Sequence, residues 1–491
     1  MKIALVIIIQ AIAMSIGFTQ NGFELNIGEE GIDERITYTL EVESSYFISG
    51  KKYDPSIGEE SIPVFFKTTQ DGEIISHVEY YKEDIGTNIR FGYQKPNGNL
   101  LYFGNSYNIS ELPNVKGVHF LELDANLALI WEKFDTLPFS MPNIRHYVKN
   151  HLITPNNNII LQGVADTAAP GTGTTKNLCI YKYDNLGNFI NLQLYPGWAD
   201  HDQGSEMLFN TDSSGFYLFG TLSHNSVVRD WAYFDLELNL LSSGVLENDN
   251  SDFSAPMSVK RLSNGNLLMV NYLYEIDVYN NRGFEMRVYD NSFNLIQSKI
   301  TYCEHQVFIP TNRGMGFIDE NNIWVAVFEA VPPFFMGQEN ILFYIFDYEL
   351  NMKGTKTYEG DQRYWLYDLF VCSDFGCIVS GESSEYEGSE MTDNFALKMT
   401  YEDVITYAQK HYFNKEDITI YPMPTRDQIT ISNVPESSVL LLYTPAGQLA
   451  ASFRLEKGVN QLEIGNLPAG IYFASIKQNQ QLIQTSKILK Q

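Results

Sequence analysis

The sequence predicts an all-β chain, a seven-bladed β-propeller followed by a small immunoglobulin-like β-sandwich. Three observations carry this expectation. Short apolar runs bounded by Gly, Pro, Asn and Asp fill the 491 residues. One kind of run recurs seven times, and a second kind of turn recurs between the copies at a nearly constant period.

The first recurring element is a polar turn followed by an apolar strand that usually ends in Gly or Asn. It occupies residues 44–50, 97–104, 156–163, 213–220, 264–270, 320–326 and 374–381. The second is an aromatic or apolar strand, an Asp, a short turn and another apolar strand, at 123–127, 183–189, 234–240, 289–295 and 346–352. Its Asp124, Asp184, Asp235, Asp290 and Asp347 are spaced by 60, 51, 55 and 57 residues. That period suits one four-stranded sheet per repeat, the unit of a propeller. The stretches around 70–73 and 400–403 lack the Asp at its usual place, as terminal units often depart from consensus. The repeats loosely resemble long-period propeller repeats of secreted bacterial proteins and lack WD40 and kelch signatures. A tandem array of sandwiches is the competing architecture. Ring closure has two candidate donors, residues 23–27 or residues 404–412.

Four antiparallel strands per repeat place the tight turns on one face and the longer connections on the other, and ligands are expected among the latter. Those connections hold Arg145 and His146, then Trp198 and His201, then His305, and finally Arg363, Tyr364 and Trp365, as candidate ligand-binding groups. Asp200, Asp202 and Glu206, beside His201, are candidate ligands for a cation such as calcium, although their spacing matches no EF-hand loop. A solvated acidic rim is the competing interpretation of the same residues.

The chain ends in a distinctive order of segments: Tyr421-Pro422-Met423-Pro424-Thr425, then Leu441 to Gln448 containing Gly447, then Leu467-Pro468-Ala469-Gly470-Ile471-Tyr472, and last Lys487-Ile488-Leu489-Lys490. This resembles the C-terminal sorting domain of proteins exported by the type IX secretion system of Bacteroidetes, over residues 417–491. Met423 stands where the family usually has Asn. The resemblance implies recognition by the type IX machinery at the outer membrane, with the protein released or attached to the cell surface. The other end agrees: Lys2 precedes an apolar run from Ile3 to Ile16 and polar residues to Gln20, the form of a signal peptide. The expected organisation is signal peptide 1–20, propeller 21–411, linker 412–416 and sorting domain 417–491.

Of 33 basic and 60 acidic residues, Lys2 lies in the signal segment and six basic and five acidic residues lie in 417–491. The remainder carries 26 basic against 55 acidic side chains, a net charge of −29. Such a surface disfavours nucleic acid as a partner and leaves divalent cations and neutral ligands, with a glycan or a protein as the candidate partner. No later apolar segment approaches the roughly 20 residues of a transmembrane helix. The sequence holds no Gly-x-Ser-x-Gly, His-Glu-x-x-His, Walker or dinucleotide-binding signature. Cys372 and Cys377 flank a four-residue turn and are either a hairpin disulfide or two buried thiols. The leading functional expectation is a secreted or surface-displayed binding propeller. The alternatives are a hydrolase of polysaccharide or peptide at the channel mouth, and a structural surface component.

Overall fold

The computed structural model describes residues 22–29, 31–54, 60–108, 116–136, 146–166, 176–195, 206–220, 229–247, 258–273, 283–310, 313–330, 339–360, 362–385, 392–405, 419–421, 424–434, 438–444, 449–478 and 481–491. The chain divides into two compact units, Met1–Asp403 and Val404–Gln491. The expected signal peptide and linker lie outside the described residues.

In the first unit, β1 (Phe23–Ile27) precedes seven antiparallel sheets. Blade one is β2 (Asp33–Val42), β3 (Ser45–Asp54), β4 (Glu60–Thr69) and β5 (Ile74–Glu79). Blade two is β6 (Ile85–Gln94), β7 (Leu100–Asn108), β8 (Lys116–Leu123) and β9 (Leu129–Thr136). Blade three is β10 (His146–Ile153), β11 (Ile159–Asp166), β12 (Lys176–Tyr183) and β13 (Phe189–Tyr195). Blade four is β14 (Glu206–Phe209), β15 (Gly215–Gly220), β16 (Arg229–Asp235) and β17 (Leu240–Glu247). Blade five is β18 (Ser258–Arg261), β19 (Leu267–Tyr272), β20 (Gly283–Tyr289) and β21 (Leu295–Tyr302). Blade six is β22 (Gln306–Phe308) and β23 (Met315–Gly316), both paired with β24 (Ile323–Ala330), then β25 (Glu339–Phe346) and β26 (Met352–Glu359). Blade seven is β27 (Arg363–Val371), β28 (Cys377–Ser384) and β29 (Asp393–Met399), completed by β1.

Successive sheets adjoin, and β2 of blade one touches β27, β28 and β29 of blade seven, so the described sheets form a closed β-propeller. The fastening strand is β1, antiparallel to β29 with Phe23 opposite Lys398 and Ile27 opposite Asn394. Val404, the start of the other candidate closing segment, lies instead in a short helical turn at 401–405.

The five Asp turns share one design. Each Asp accepts the N–H three residues on through its carbonyl, while its Oδ1 accepts the N–H four residues on, as at Asp235 with Leu238 (3.1 Å) and Asn239 (2.8 Å). This is a tight hairpin turn whose fourth residue must take a positive φ. That residue is Leu127, Gly187, Leu238, Phe293 or Leu350, with φ between 58° and 71°. Except at Gly187 the strain carries an apolar knob into the preceding blade. Leu238 packs with Ile160 and Leu178 of blade three, Leu127 with Phe47 and Phe65 of blade one, and Phe293 stacks on Trp231 at 4.5 Å.

The glycines that end several recurring strands have a separate cause. β2, β6, β10 and β27 each carry a β-bulge, between Ile36 and Tyr38, Ile89 and Phe91, Val148 and Asn150, and Leu366 and Asp368. Gly50, Gly104, Gly163 and Gly381 stand opposite the residue before each bulge. A Cβ at Gly50, Gly104 or Gly381 would lie 2.3, 2.0 or 2.0 Å from the carbonyl oxygen of Arg35, Asn88 or Trp365. The bulge pushes backbone toward the second strand, and only glycine leaves room.

The second unit is a β-sandwich of β30 (Thr419–Tyr421), β31 (Gln428–Val434), β32 (Ser438–Tyr443), β33 (Leu449–Leu455), β34 (Gly458–Glu463), β35 (Gly470–Gln478) and β36 (Gln481–Lys490). One sheet is ordered β30-β31-β34 and the other β33-β32-β35-β36. Ile429, Ile431, Leu440, Leu442, Tyr472 and Ile488 form its core.

Gly104→Ala and Gly381→Ala are each expected to lower stability by about 1–3 kcal/mol, because a backbone carbonyl cannot yield as a side chain does. Urea unfolding midpoints of the two variants check this, and unchanged midpoints would contradict the bulge argument.

Candidate functional site

The first strands of successive blades contact one another, β2 with β6 and β27, β6 with β10, β10 with β14, and β14 with β18. They are therefore the inner strands around the propeller axis. Seven of their residues, or of the segment leading into β23, come together there, one from each blade: Tyr38, Phe91, His151, Glu206, Lys260, Arg313 and Asp368.

Arg313 organises this group. Its Nε donates to Asp368 Oδ1 at 2.6 Å, and its Nη2 donates to Asp368 Oδ2 and, at 2.8 Å, to the Thr39 carbonyl. Asp368 Oδ2 also accepts the Thr39 N–H at 2.9 Å. The guanidinium lies 4.2 Å from the Tyr38 ring centroid and 5.2 Å from that of Phe370. Burial alone would release its proton more readily, but the Asp368 carboxylate overrides that and holds the guanidinium protonated. The Asp368 side chain has no solvent exposure, so this pair is a desolvated, forked ion pair spanning blades six, seven and one.

Tyr38 lies edge-on to Phe91 at 5.8 Å and to His151 at 6.2 Å, and Phe91 is 4.7 Å from His151. Burial pushes the His151 imidazole down to about 3, and Arg313 and Lys260 reinforce the shift. Lys260 Nζ stands 3.8 Å from Glu206 Oε1. Glu206 is buried, which raises its pKa against the pull of Lys260 and Arg313. Arg313 and Lys260 thus act electrostatically on both His151 and Glu206, so the seven residues make one axial cluster, the septum. Ser258 Oγ on β18 is fully buried and has no hydrogen-bond partner among the described residues.

Of the residues singled out in the sequence, Arg145, Trp198, His201, Asp200 and Asp202 lie outside the described residues. His146 is the first residue of β10, opposite Ala165. His305 precedes β22 and donates its backbone N–H to Glu329 Oε1 at 2.8 Å. Arg363 begins β27 with Nε 3.9 Å from Glu339 Oε1. Among the described residues no group of three or more His, Cys, Asp or Glu is arranged to hold a metal ion, and Glu206 faces Lys260.

Tyr364 and Trp365 are corrected by the structure. Both belong to β27 and not to a connection. Tyr364 is buried against Phe395 at 4.6 Å, and Trp365, half-buried, packs on Phe308 at 5.7 Å and Phe328 at 5.3 Å. Cys372 and Cys377 are both buried free thiols, because the register sets Cys377 opposite Val371. Burial pushes the Cys372 thiol up to about 12.

The sorting segments converge. Thr425, after the Tyr421 and Pro424 segment, donates its N–H to the Leu489 carbonyl at 2.9 Å and accepts from the Gln491 N–H at 2.8 Å. Lys490 is buried opposite Gly470, and Lys487 stands opposite Phe473. Tyr472 is buried and donates its hydroxyl to the Pro468 carbonyl at 2.8 Å, with Leu467 packed against the core. The opening motif is therefore stitched to the final strand. Pro422 and Gly447 lie outside the described residues.

Asp368→Ala is expected to destabilise the chain by about 3–5 kcal/mol, since it strands the Arg313 charge in a desolvated place. Thermal unfolding measures this, and a loss under about 1 kcal/mol would remove Arg313 from the centre of the argument. Glu339 gives a pH signature. Burial, opposed by the Tyr364 N–H and Arg363, raises its pKa to about 7. The folded state then holds a proton that the unfolded state releases, so this stability is complete below about pH 4.5 and is lost as pH rises through about 7. Glu339→Gln should flatten that slope and gain up to about 3 kcal/mol over wild type at pH 8. Parallel slopes from pH 4.5 to 8 would refute it.

Residues 419–491 match the family model of the secretion system C-terminal sorting domain. No curated protein sequence matches the chain. Among solved structures it is similar to the acylaminoacyl peptidase of Pyrococcus horikoshii, at 11% identity and a TM-score of 0.41, over 81% of this chain and 57% of that one. The chain thus spans little more than half of that peptidase. It is also similar to the β-propeller domain of the Trilobed protease of Pyrococcus furiosus, at 11% identity and a TM-score of 0.40, over 78% of this chain and 99% of that one. A third similar structure is PorZ, a bacterial surface component of the type IX secretion system of Porphyromonas gingivalis, at 8% identity and a TM-score of 0.31, over 93% of this chain and 75% of that one. No described helix is long and apolar enough to cross a membrane. The chain is a β-propeller protein carrying a type IX secretion sorting domain, which directs it to be secreted or attached to the outer surface.

Proposed function

We propose that the protein is a binding propeller whose ligand, a glycan or a protein segment, enters among the long connections and rests on the axial septum. The septum carries this reading. It gathers groups of both charges, Lys260, Glu206 and Arg313, beside the rings of Tyr38 and Phe91 on the inner strands. A ligand entering from the long-connection end meets a floor that supplies hydrogen bonds and apolar contact together, the composition typical of a ligand pocket. Asp368 is held by Arg313 and the Thr39 N–H, and Glu206 by Lys260 and the Val259 backbone. Hydrolysis of a glycoside calls for two working carboxylates, so this arrangement favours binding over hydrolysis. The acidic connections Asp200 and Asp202 lead into Glu206, and calcium is the cation whose effect on binding is worth measuring.

Screening the exported, full chain on glycan and peptide arrays, with and without calcium, is the test. Binding without turnover is expected. Lys260→Ala, at a partly exposed position, should weaken that binding about ten-fold while the unfolding midpoint holds. Released hydrolysis products, or binding indifferent to Lys260→Ala, would count against the reading.

A further inference from the structure

Where blades one, two and seven meet at the long-connection end of the axis, cations accumulate inside an acidic chain. Arg35 on β2 and Lys51 on β3 are direct cross-strand partners, so two like charges share one face of the sheet. The next blade is held close by Thr37, whose Oγ1 donates to the Ile89 carbonyl at 2.6 Å, and the bulge there inserts Arg90. Arg35 has counter-charges: Asp33 at 3.1 Å and Glu382 at 2.9 Å, with Tyr367 accepting a further hydrogen bond at 3.1 Å. Among the described residues the Lys51 ammonium has no hydrogen bond or ion pair, and Asp33 and Glu382 act on it only at longer range. A like-charge pair with one member so weakly compensated is unfavourable unless something of opposite charge joins it.

We infer that this mouth holds an oxyanion, a carboxylate or sulfate group, between Lys51, Arg35 and Arg90. The inference rests on the binding function proposed above and names the anchoring group of the ligand. Lys51 donates as a point charge, while the guanidinium of Arg35 is already oriented by Asp33 and Glu382. The net charge of −27 argues against a dense polyanion and for one such group on an otherwise neutral body, as in a uronic acid or a lightly sulfated sugar. Lys51 reports on its own site. Burial, then Arg35 and also Arg90, push its ammonium down to about 8 against the opposing influence of Asp33 and Glu382. At pH 8 it is therefore an unusually nucleophilic lysine, and a bound oxyanion returns it to the unreactive ammonium.

Amine-reactive labelling of the full chain at pH 8, read by mass spectrometry, tests this with inorganic sulfate and tri-galacturonate as probes and chloride at matched ionic strength as control. Either probe should slow Lys51 labelling about five-fold or more, with chloride inert. Lys52, clamped by Glu29 at 2.9 Å and Glu79 at 3.2 Å, is the internal reference and should not respond. The stronger probe identifies the source of the oxyanion. Sulfate should also raise the melting temperature of wild type and not that of Lys51→Gln, a change at a partly exposed position. Equal labelling in both probes and chloride overturns the inference, whatever the arrays show. Neutral glycans that bind through Lys260, with Lys51 indifferent to both probes, overturn it and leave the binding function standing.

Discussion

A ring of sheets must be fastened where its ends meet, and here two different interactions share that seam. β1 brings five residues from the start of the described chain to the edge of β29, completing a sheet whose other strands lie more than 330 residues away in sequence. Backbone pairing supplies the outer fastening. At the axis, Arg313 supplies the inner one, reaching from blade six to Asp368 in blade seven and the Thr39 carbonyl in blade one. A lysine would not serve, because the flat fork is what lets one side chain grip a carboxylate while lying over Tyr38. Such a pair gives up much of its attraction to desolvation. Its contribution is geometric, since it fixes which edges of three blades face each other.

Between the blades the recurring Asp turns do comparable work at lower expense. Each freezes its hairpin with side-chain acceptors and spends the resulting left-handed backbone on a knob, Leu127, Leu238, Phe293 or Leu350, that enters the preceding blade. Blade three departs from this with Gly187, where a Cβ would stand 3.0 Å from the Phe120 ring. There the aromatic ring of blade two fills the space from the other side. Part of the acidic excess is therefore structural. Hydrogen bonds within their own turns lower the pKa values of Asp184, Asp235 and Asp290, with Lys133 and Lys182 adding at the first two.

The contrast explains what was legible in the sequence. Turn chemistry is local, so the Asp spacing and the glycine at the end of a strand show up as repeats, even though the reason for Gly104, a carbonyl on a bulged neighbour, needed coordinates. The sorting domain was legible for the same reason, as short motifs in fixed order. The septum was not. Tyr38, Phe91, His151, Glu206, Lys260, Arg313 and Asp368 recur every 53 to 60 residues, but they share no residue type, because each blade contributes a different chemical piece to one centre, and a regular spacing of unlike residues does not show up as a repeat. Attention to dense polar connections led instead to Trp365 and Tyr364, whose β27 starts early enough to bury Tyr364 and half-bury Trp365. Arg313 sits in a stretch of unremarkable composition, and only the pairing of β23 with β24 reveals that this stretch is an inner strand.

The electrostatics of the two surfaces are separable, and this reconciles an acidic protein with cations at its axis. At physiological ionic strength fields decay over about 8 Å, so the exterior charge governs which bodies approach, while groups in contact govern what is held. Arg35 and Lys51 are cross-strand partners and Arg90 adds its field at Lys51, where half-burial weakens screening. A long polyanion is turned away before it meets them. A mostly neutral chain bearing an occasional carboxylate or sulfate is not, and its charge is stabilised only when it reaches the mouth of the channel. Selection at a distance and retention on contact then act on different features of the same ligand.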